Sequence, residues 1–110
     1  MVSILKPLKF VGSSLDDICD FPDAVRRAIG TELMVVQFGG TPTDFKPMNS
    51  VGAGTYEVRV RSEGAGRAIY VAKFADAVYV LHAFQKKTQK TSKGDIDLVA
   101  ARYKLIAGKP

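Results

Sequence analysis

The second half of the chain alternates between apolar and polar side chains with the period of two that is typical of β-strands. In the first such stretch the apolar side chains face one way, whereas Glu57, Arg59 and Arg61 face the other. Two further strand patterns follow, separated by turns so short that the strands are predicted to form an antiparallel meander. The three strands are expected at residues 56–61, 67–74 and 78–84.

Apolar side chains recur every three or four residues in two other stretches, which predicts amphipathic helices. The clearer helix covers residues 21–36 and ends before Gly39 and Gly40, since glycine readily takes the left-handed conformation that closes a helix. The other helix follows a potential N-cap at Thr91 or Ser92. A short strand, a short helix and a loop complete the pattern, at residues 8–13, 15–20 and 41–54.

The resulting order of elements, β-α-α-β-β-β-α, is typical of an α+β domain with helices on one face of a small sheet. We therefore expect an N-terminal helical hairpin and a C-terminal helix packed together on a mainly antiparallel sheet. A chain of 110 residues has the length of one domain, so residues 1–110 are expected to fold as a single unit.

The composition predicts several absences. No apolar run approaches the roughly 18 residues of a membrane helix, and residues 1–7 lack the apolar core of a signal peptide, so we expect a cytoplasmic protein with no membrane partner. The single cysteine, Cys19, excludes an intrachain disulfide and is expected to be a small buried group. One cysteine and one histidine cannot form a usual zinc site, and neither a metal nor another cofactor is expected.

Charge divides the chain into two parts. Residues 1–45 hold four Lys or Arg and six Asp or Glu, a balance of −2. Residues 46–110 hold twelve Lys or Arg and five Asp or Glu, a balance of +7. Such segregation predicts a basic face in the fold, and basic faces attract nucleic acid, anionic lipid or an acidic protein.

The candidate chemistry is cationic. The chain has no Walker loop, dinucleotide-binding fingerprint or serine nucleophile elbow. In an antiparallel meander Arg61 should lie near Arg67, and Lys86 and Lys87 should approach Arg67 from the end of the next strand. Arginine can hold a phosphate with two hydrogen bonds and lysine acts as a point charge, so this cluster is suited to a phosphodiester or to a pentacoordinate phosphorus.

His82 is open to two interpretations. Its reference pKa lies near neutrality, which suits a proton-transfer group. The alternation of its strand, however, places it on the same face as Val78, Val80 and Phe84, where it would be a packed residue of the core.

With these residues in view, the sequence resembles the RelE/ParE toxin superfamily, in its phage Gp49-like, HigB-type branch. The resemblance covers nearly the whole chain in order, and its most specific part is the block HAFQKKTQKT at residues 82–91. The other similar segments are residues 21–30, 44–48, 54–61 and 67–70.

This resemblance implies a RelE-like fold and the toxin of a type II toxin–antitoxin module. Such toxins cleave mRNA at the ribosome without a metal, by attack of the ribose 2′-hydroxyl on the adjacent phosphate. The implied partner is a cognate helix-turn-helix antitoxin, through which alone the toxin would reach operator DNA. The resemblance implies catalytic roles for Arg67, Lys86 and Lys87 and an RNA contact for Lys46. The charge and chemistry of the chain add His82 as a further catalytic candidate, and Arg59, Arg61 and Lys90 as further RNA-binding candidates.

The chain departs from the family pattern at its C-terminal end. Some members carry a catalytic tyrosine or histidine there, whereas Tyr103 fits the apolar stripe of the last helix. The general base is therefore not identified by the resemblance. Two alternatives to an endoribonuclease also follow from the superfamily and the charge: a ParE-like gyrase inhibitor that acts by binding, and a module that binds RNA or the ribosome without cleavage.

Overall fold

The computed structural model describes residues 5–62, 64–85 and 91–108. Within these ranges the chain forms helices and a five-stranded sheet, which confirms the predicted α+β class. The strands are β1 (Leu8–Phe10), β2 (Phe45–Pro47), β3 (Thr55–Arg61), β4 (Ala65–Val71) and β5 (Val78–Gln85). The helices are α1 (Ser14–Cys19), α2 (Asp23–Gln37) and α3 (Lys93–Ile106).

The sheet has the strand order β1-β5-β4-β3-β2. Strands β3, β4 and β5 form the predicted antiparallel meander. Strand β1 lies at one edge and pairs with β5 in parallel, with Leu8 opposite Val78. The sheet is therefore mainly antiparallel, as the sequence predicts.

Strand β2 lies within residues 41–54, so the prediction of a loop is wrong at this point. The strand occupies the other edge of the sheet, antiparallel to β3, and pairs Lys46 with Glu57. It has only three residues and ends at Pro47, which lacks an N–H group but is tolerated at a sheet edge. This short strand fixes Lys46 against the sheet.

The helices cover both faces of the sheet, so the prediction that they all pack on one face is wrong. Helices α1 and α2 pack on what we call the α2 face, and α3 packs on the α3 face. The core of the α2 face contains Ile18, Phe21, Val25, Ile29, Leu33, Val36, Val58, Val60, Ala68, Tyr70, Val78, Val80 and Ala83. The core of the α3 face contains Met48, Ile69, Val71, Phe74, Ala77, Tyr79, Leu81, Val99 and Ile106.

A β-bulge interrupts strand β5. Val80 and His82 pair with consecutive residues of β4, so Leu81 between them is the extra residue. Its carbonyl accepts a hydrogen bond from Nη1 of Arg102 on α3, at 2.8 Å. The bulge is therefore tied to the helix that covers this face.

The bulge changes the side of the sheet on which His82 lies. Val78 and Val80 belong to the core of the α2 face. His82 follows the extra residue, stacks on Phe84 and contacts α3, so it lies on the opposite face. The prediction that His82 shares a face with Val78 and Val80 is wrong, whereas the face it shares with Phe84 is confirmed.

The two long helices lie where the sequence predicts them, although α2 begins two residues later than predicted, at Asp23, and ends one residue later, at Gln37. Helix α2 closes at Gly39, whose φ of 86° lies in the left-handed region, and the N–H groups of Gly39 and Gly40 bond to carbonyls of the last turn. Helix α3 begins after Ser92, whose Oγ accepts the N–H of Asp95 at 3.1 Å. Cys19, expected to be buried, is exposed at the end of α1. No helix in the described ranges has both the length and the apolar character to cross a membrane.

Gly66 is a point of close approach between α2 and the sheet. A Cβ atom at this position would lie 2.5 Å from Cγ1 of Val25 and 3.3 Å from the ring of Phe21. Because successive residues of a strand face opposite ways, Gly66 accommodates α2 on one face while Arg67 points to the other.

Replacement of Gly66 by alanine is expected to lower the free energy of unfolding by about 1–3 kcal/mol, because the added methyl must displace Val25 from a packed core. Gly30→Ala is the matched control, since a Cβ there meets nothing within 4 Å and alanine favours the helix by about 1 kcal/mol. Urea denaturation of both variants measures the difference. Equal stabilities would contradict the close approach.

Candidate functional site

Glu57 is the centre of a polar cluster on the α3 face of the sheet. Its position in β3 alternates with the apolar residues of the α2 face, as predicted from the sequence. The side chain is fully buried, with 0% of its surface exposed. A carboxylate without access to water needs charged or hydrogen-bonding partners, and the structure supplies four.

Three cations from three adjacent strands surround this carboxylate. Arg59 donates from Nε to Oε1 of Glu57 at 3.0 Å. Nη1 of Arg67 lies 3.6 Å from the same oxygen, and Nζ of Lys46 lies 3.8 Å from it. We call these four residues the Glu57 cluster. It brings together Lys46, Arg59 and Arg67, which are distant in sequence.

Strand register explains why the cluster forms. Lys46 of β2 lies directly opposite Glu57, and Arg59 of β3 lies directly opposite Arg67 of β4. The exposed fraction of the side chain falls from 39% in Lys46 through 25% in Arg59 to 7% in Arg67. The three cations therefore form a row that leads from the sheet edge towards its centre.

Thr91 closes the cluster from the side of α3. Its hydroxyl donates to Oε2 of Glu57 at 2.6 Å and accepts from Nη1 of Arg67 at 3.3 Å. The residue is 4% exposed, although it immediately precedes a helix on the surface of the domain. Of the two predicted caps of this helix, Ser92 performs the capping, and Thr91 is thereby available to the cluster.

The cluster carries a net positive charge. Three basic side chains and one acidic side chain give it a formal charge of +2. Guanidinium groups bind phosphate oxygens with good geometry, and a half-exposed lysine at the edge adds a point charge. The arrangement is therefore suited to an anion with several oxygens, such as a phosphodiester.

His82 belongs to a second polar group on the same face. Its Nε2 lies 2.8 Å from Oδ1 of Asp95, and Oδ2 of that carboxylate accepts from the hydroxyl of Ser92 at 2.6 Å. The ring stacks on Phe84 with 5.0 Å between centroids. Its Nδ1 is buried without a hydrogen-bond partner among the described residues. These contacts tie β5 to the first turn of α3.

Arg61 lies at the end of β3, on the strand that pairs with the strand of Arg67. The register pairs Arg61 with Ala65 and gives Arg67 the partner Arg59 instead. Arg61 is exposed at the end of β3. Arg61 and Arg67 are therefore diagonal neighbours, one pair of residues apart along the hairpin, and do not lie directly opposite each other.

Three predicted site residues, Lys86, Lys87 and Lys90, lie outside the described residues. The strand that leads to them ends with Gln85 opposite Gly66, beside the start of β4. The predicted proximity of these lysines to Arg67 stays a prediction.

Sequence reasoning missed Glu57 and Thr91 as members of the site. The alternation of β3 assigns Glu57 to the same face as Arg59, but it does not reveal that α3 covers this face. The sequence does contain one signal for Glu57: it is the single acidic residue of a strand whose other charged residues, Arg59 and Arg61, are cationic.

A separate aromatic groove lies on the α2 face. It has a volume of about 480 Å³, and Phe45, Tyr56 and Tyr70 form part of its wall. The rings of Tyr56 and Tyr70 stack with 5.9 Å between centroids. Burial, together with the nearby Tyr56 and Glu32, raises the pKa of Tyr70 to about 12, so its hydroxyl is protonated at neutral pH. The contacts of Tyr70 are those of a packing residue in the core of the α2 face.

Tyr103 lies within the packing of α3, as its spacing predicts. Its hydroxyl donates to the carbonyl of Ala53 at 2.9 Å and accepts from Nζ of Lys73 at 3.1 Å. Its ring covers Gly52, where a Cβ would lie within 2.6 Å of the ring carbons. Tyr103 thus holds the loop before β3 and is not a member of the Glu57 cluster.

Comparison with known proteins places this arrangement in a family. The model of the family described as "Phage derived protein Gp49-like (DUF891)" matches residues 16–104, which include all four members of the Glu57 cluster. No curated protein matches the chain. The match covers more than half of the sequence, so the chain belongs to the phage-derived Gp49-like family, which is toxin-like.

Proposed function

We propose that this chain is the toxin of a type II toxin–antitoxin module, of the HigB type within the RelE/ParE superfamily, and that it cleaves mRNA at the ribosome. The observation that carries the proposal is the convergence of Lys46, Arg59 and Arg67 from three strands in the Glu57 cluster. Membership of a toxin-like family supports the same function.

In the proposed reaction the ribose 2′-oxygen attacks the adjacent phosphorus, and the bond from phosphorus to the 5′-oxygen breaks. The 2′-hydroxyl gives up a proton, the departing 5′-oxygen takes one, and the products are a 2′,3′-cyclic phosphate and a 5′-hydroxyl. Negative charge increases on the phosphate oxygens in the transition state. Preorganised cations such as Arg59 and Arg67 stabilise this charge without reorganisation, and no metal is invoked in this proposal.

The lysines after β5 complete the proposed site. Lys86 and Lys87 are proposed as further catalytic cations, and Lys90 and Arg61 as contacts to the RNA strand on either side. The positive charge of these side chains should make the affinity for RNA fall as the salt concentration rises, because each phosphate contact releases a condensed counterion.

The proposed partner is a cognate antitoxin with a helix-turn-helix domain, and contact with operator DNA is proposed to occur only through it. Toxin-like family membership implies an antitoxin. The proposed action of the toxin on mRNA and ribosomes would take place in the cytoplasm.

Induction of the protein with and without a co-expressed antitoxin tests the proposed function. We expect growth arrest together with new mRNA 5′ ends that carry a 5′-hydroxyl and lie within translated regions. Co-expression of the antitoxin should remove both effects. Purified protein with ribosome-bound and free mRNA then determines whether cleavage needs the ribosome.

Two results would contradict the proposal. Growth arrest with DNA damage and no new mRNA ends would indicate gyrase inhibition. Arrested translation with intact mRNA would indicate a module that binds RNA or the ribosome without cleaving.

His82→Ala is expected to lower the free energy of unfolding by about 2–3 kcal/mol, because it removes a partly buried hydrogen bond to Asp95 and the stacking on Phe84. His82→Gln, which keeps a donor towards Asp95, should retain more of the stability. Thermal unfolding and cleavage rates of the two variants separate packing from proton transfer. A fully stable His82→Gln variant that lacks cleavage at every pH would assign His82 to proton transfer.

A further inference from the structure

We propose that Glu57 is the positioning residue of the phosphate site: it holds Arg59 and Arg67 in place for the transition state while it weakens their attraction for RNA. This inference rests on the proposed endoribonuclease function. It adds a member to the site that acts through other side chains and does not itself touch the substrate.

The first argument is that both carboxylate oxygens of Glu57 are occupied within the protein. Oε1 accepts from Nε of Arg59 at 3.0 Å, and Oε2 accepts from the hydroxyl of Thr91 at 2.6 Å. The side chain is 0% exposed, so a bound RNA strand cannot reach it without displacing these partners. Its influence on the reaction must therefore pass through its neighbours.

The second argument is how Glu57 holds the arginines. Its contact with Arg59 is made by Nε, the guanidinium nitrogen nearest the main chain, and the Arg59 side chain is still 25% exposed. This contact does not use the two terminal nitrogens of the guanidinium, which can then bind a phosphate. Arg67 is 7% exposed and is fixed from two sides, by Glu57 and by Thr91. A planar group held in this way loses little freedom when it binds an anion.

The third argument is electrostatic. Arg59 and Arg67 lie directly opposite each other on neighbouring strands, and like charges in this relation repel. Glu57 offsets the repulsion and allows both side chains to lie on the same face. It also reduces the positive charge that the site presents to RNA. Loss of this carboxylate should therefore change RNA binding and catalysis in opposite directions.

The test is Glu57→Gln, measured by single-turnover cleavage of ribosome-bound mRNA and by binding of a non-cleavable RNA with 2′-O-methyl groups. The cleavage rate is expected to fall about 10²-fold, the effect of a small displacement of catalytic groups. The dissociation constant for RNA is expected to decrease roughly two- to fivefold, as the removal of one negative charge near a polyanion predicts. A purely structural role would weaken both.

Asp16→Asn is the matched control, because it makes the same change of net charge on the surface of α1, on the other face of the sheet. Its cleavage rate is expected to equal that of the unaltered protein. Thr91→Val and Thr91→Ser form a second pair: the valine variant should lose cleavage in the same way as Glu57→Gln, whereas the serine variant keeps the hydroxyl and should retain it.

Three results would overturn the inference. The first is an unchanged cleavage rate in Glu57→Gln. The second is a parallel loss of cleavage and RNA binding with a lowered melting temperature. The third is the disappearance of the acidic limb of the pH–rate profile in this variant, which would make Glu57 itself the general base. If the unaltered protein cleaves no mRNA, the proposed function fails instead. The arginine Nε–H resonances then decide the positioning role alone: they should move in Glu57→Gln and stay in place in Asp16→Asn.

Discussion

Arg67→Ala is expected to lower the rate of mRNA cleavage by about 10²- to 10³-fold, the usual effect of removing one preorganised donor from a transition state. Arg67 is the most deeply buried cation of the Glu57 cluster and is held by both Glu57 and Thr91. Lys46 and Arg59 still neutralise Glu57 in the variant. The fold should therefore persist, with a lower melting temperature.

Two controls accompany this substitution. Arg67→Lys keeps the charge but loses the planar fork, so its cleavage rate should lie between those of the alanine variant and the unaltered protein. Arg27→Ala removes an exposed arginine from α2 and should leave cleavage unchanged. Lys87→Ala is predicted to act like Arg67→Ala. Full toxicity of a soluble Arg67→Ala/Lys87→Ala double variant would refute the assignment of the site.

Ile69→Ala is expected to lower the free energy of unfolding by about 2–5 kcal/mol, the largest stability effect that we predict. Ile69 is fully buried in the core of the α3 face, on the central strand β4. In the sheet register it lies between Glu57 on one side and His82 on the other. Its removal creates a cavity between the two polar groups, and the rigid sheet and α3 can only partly close it.

Urea denaturation measures this effect, with Leu105→Ala as the control. The Leu105 side chain is on α3 but is 73% exposed, so its truncation should change the stability by less than about 0.5 kcal/mol. A difference of less than 1 kcal/mol between the two variants would contradict the assignment of Ile69 to a closely packed core.

Local sequence signals predict the elements of this fold well where the pattern is long. The spacing of apolar residues predicts α2, and the alternation in β3 correctly divides its side chains between two faces. Ser92 is recognisable as a cap because Asp95 follows three residues later. These features depend on neighbouring residues alone, so a single sequence contains the information.

Features that depend on distant contacts are less visible. The bulge at Leu81 shifts every later side chain of β5 to the opposite face, and the pairing with β4 that reveals it lies more than ten residues away. The central strands are apolar at consecutive positions, which indicates that both faces of the sheet are buried. Helix α3 covers the face that α1 and α2 leave open. The segregation of charge predicts a cationic site, but only the register shows that its cations share one carboxylate.

The shared carboxylate makes three positions one thermodynamic unit. Glu57 and Arg59 lie two residues apart on β3 and Arg67 lies on β4, and each of the three stabilises or repels the other two. The effects of substitutions at interacting positions do not add, so the cost of any one change depends on which residues occupy the other two. Divergence at this site would therefore proceed by concerted exchange of the three residues, and an isolated substitution at one of them would say little about its own contribution.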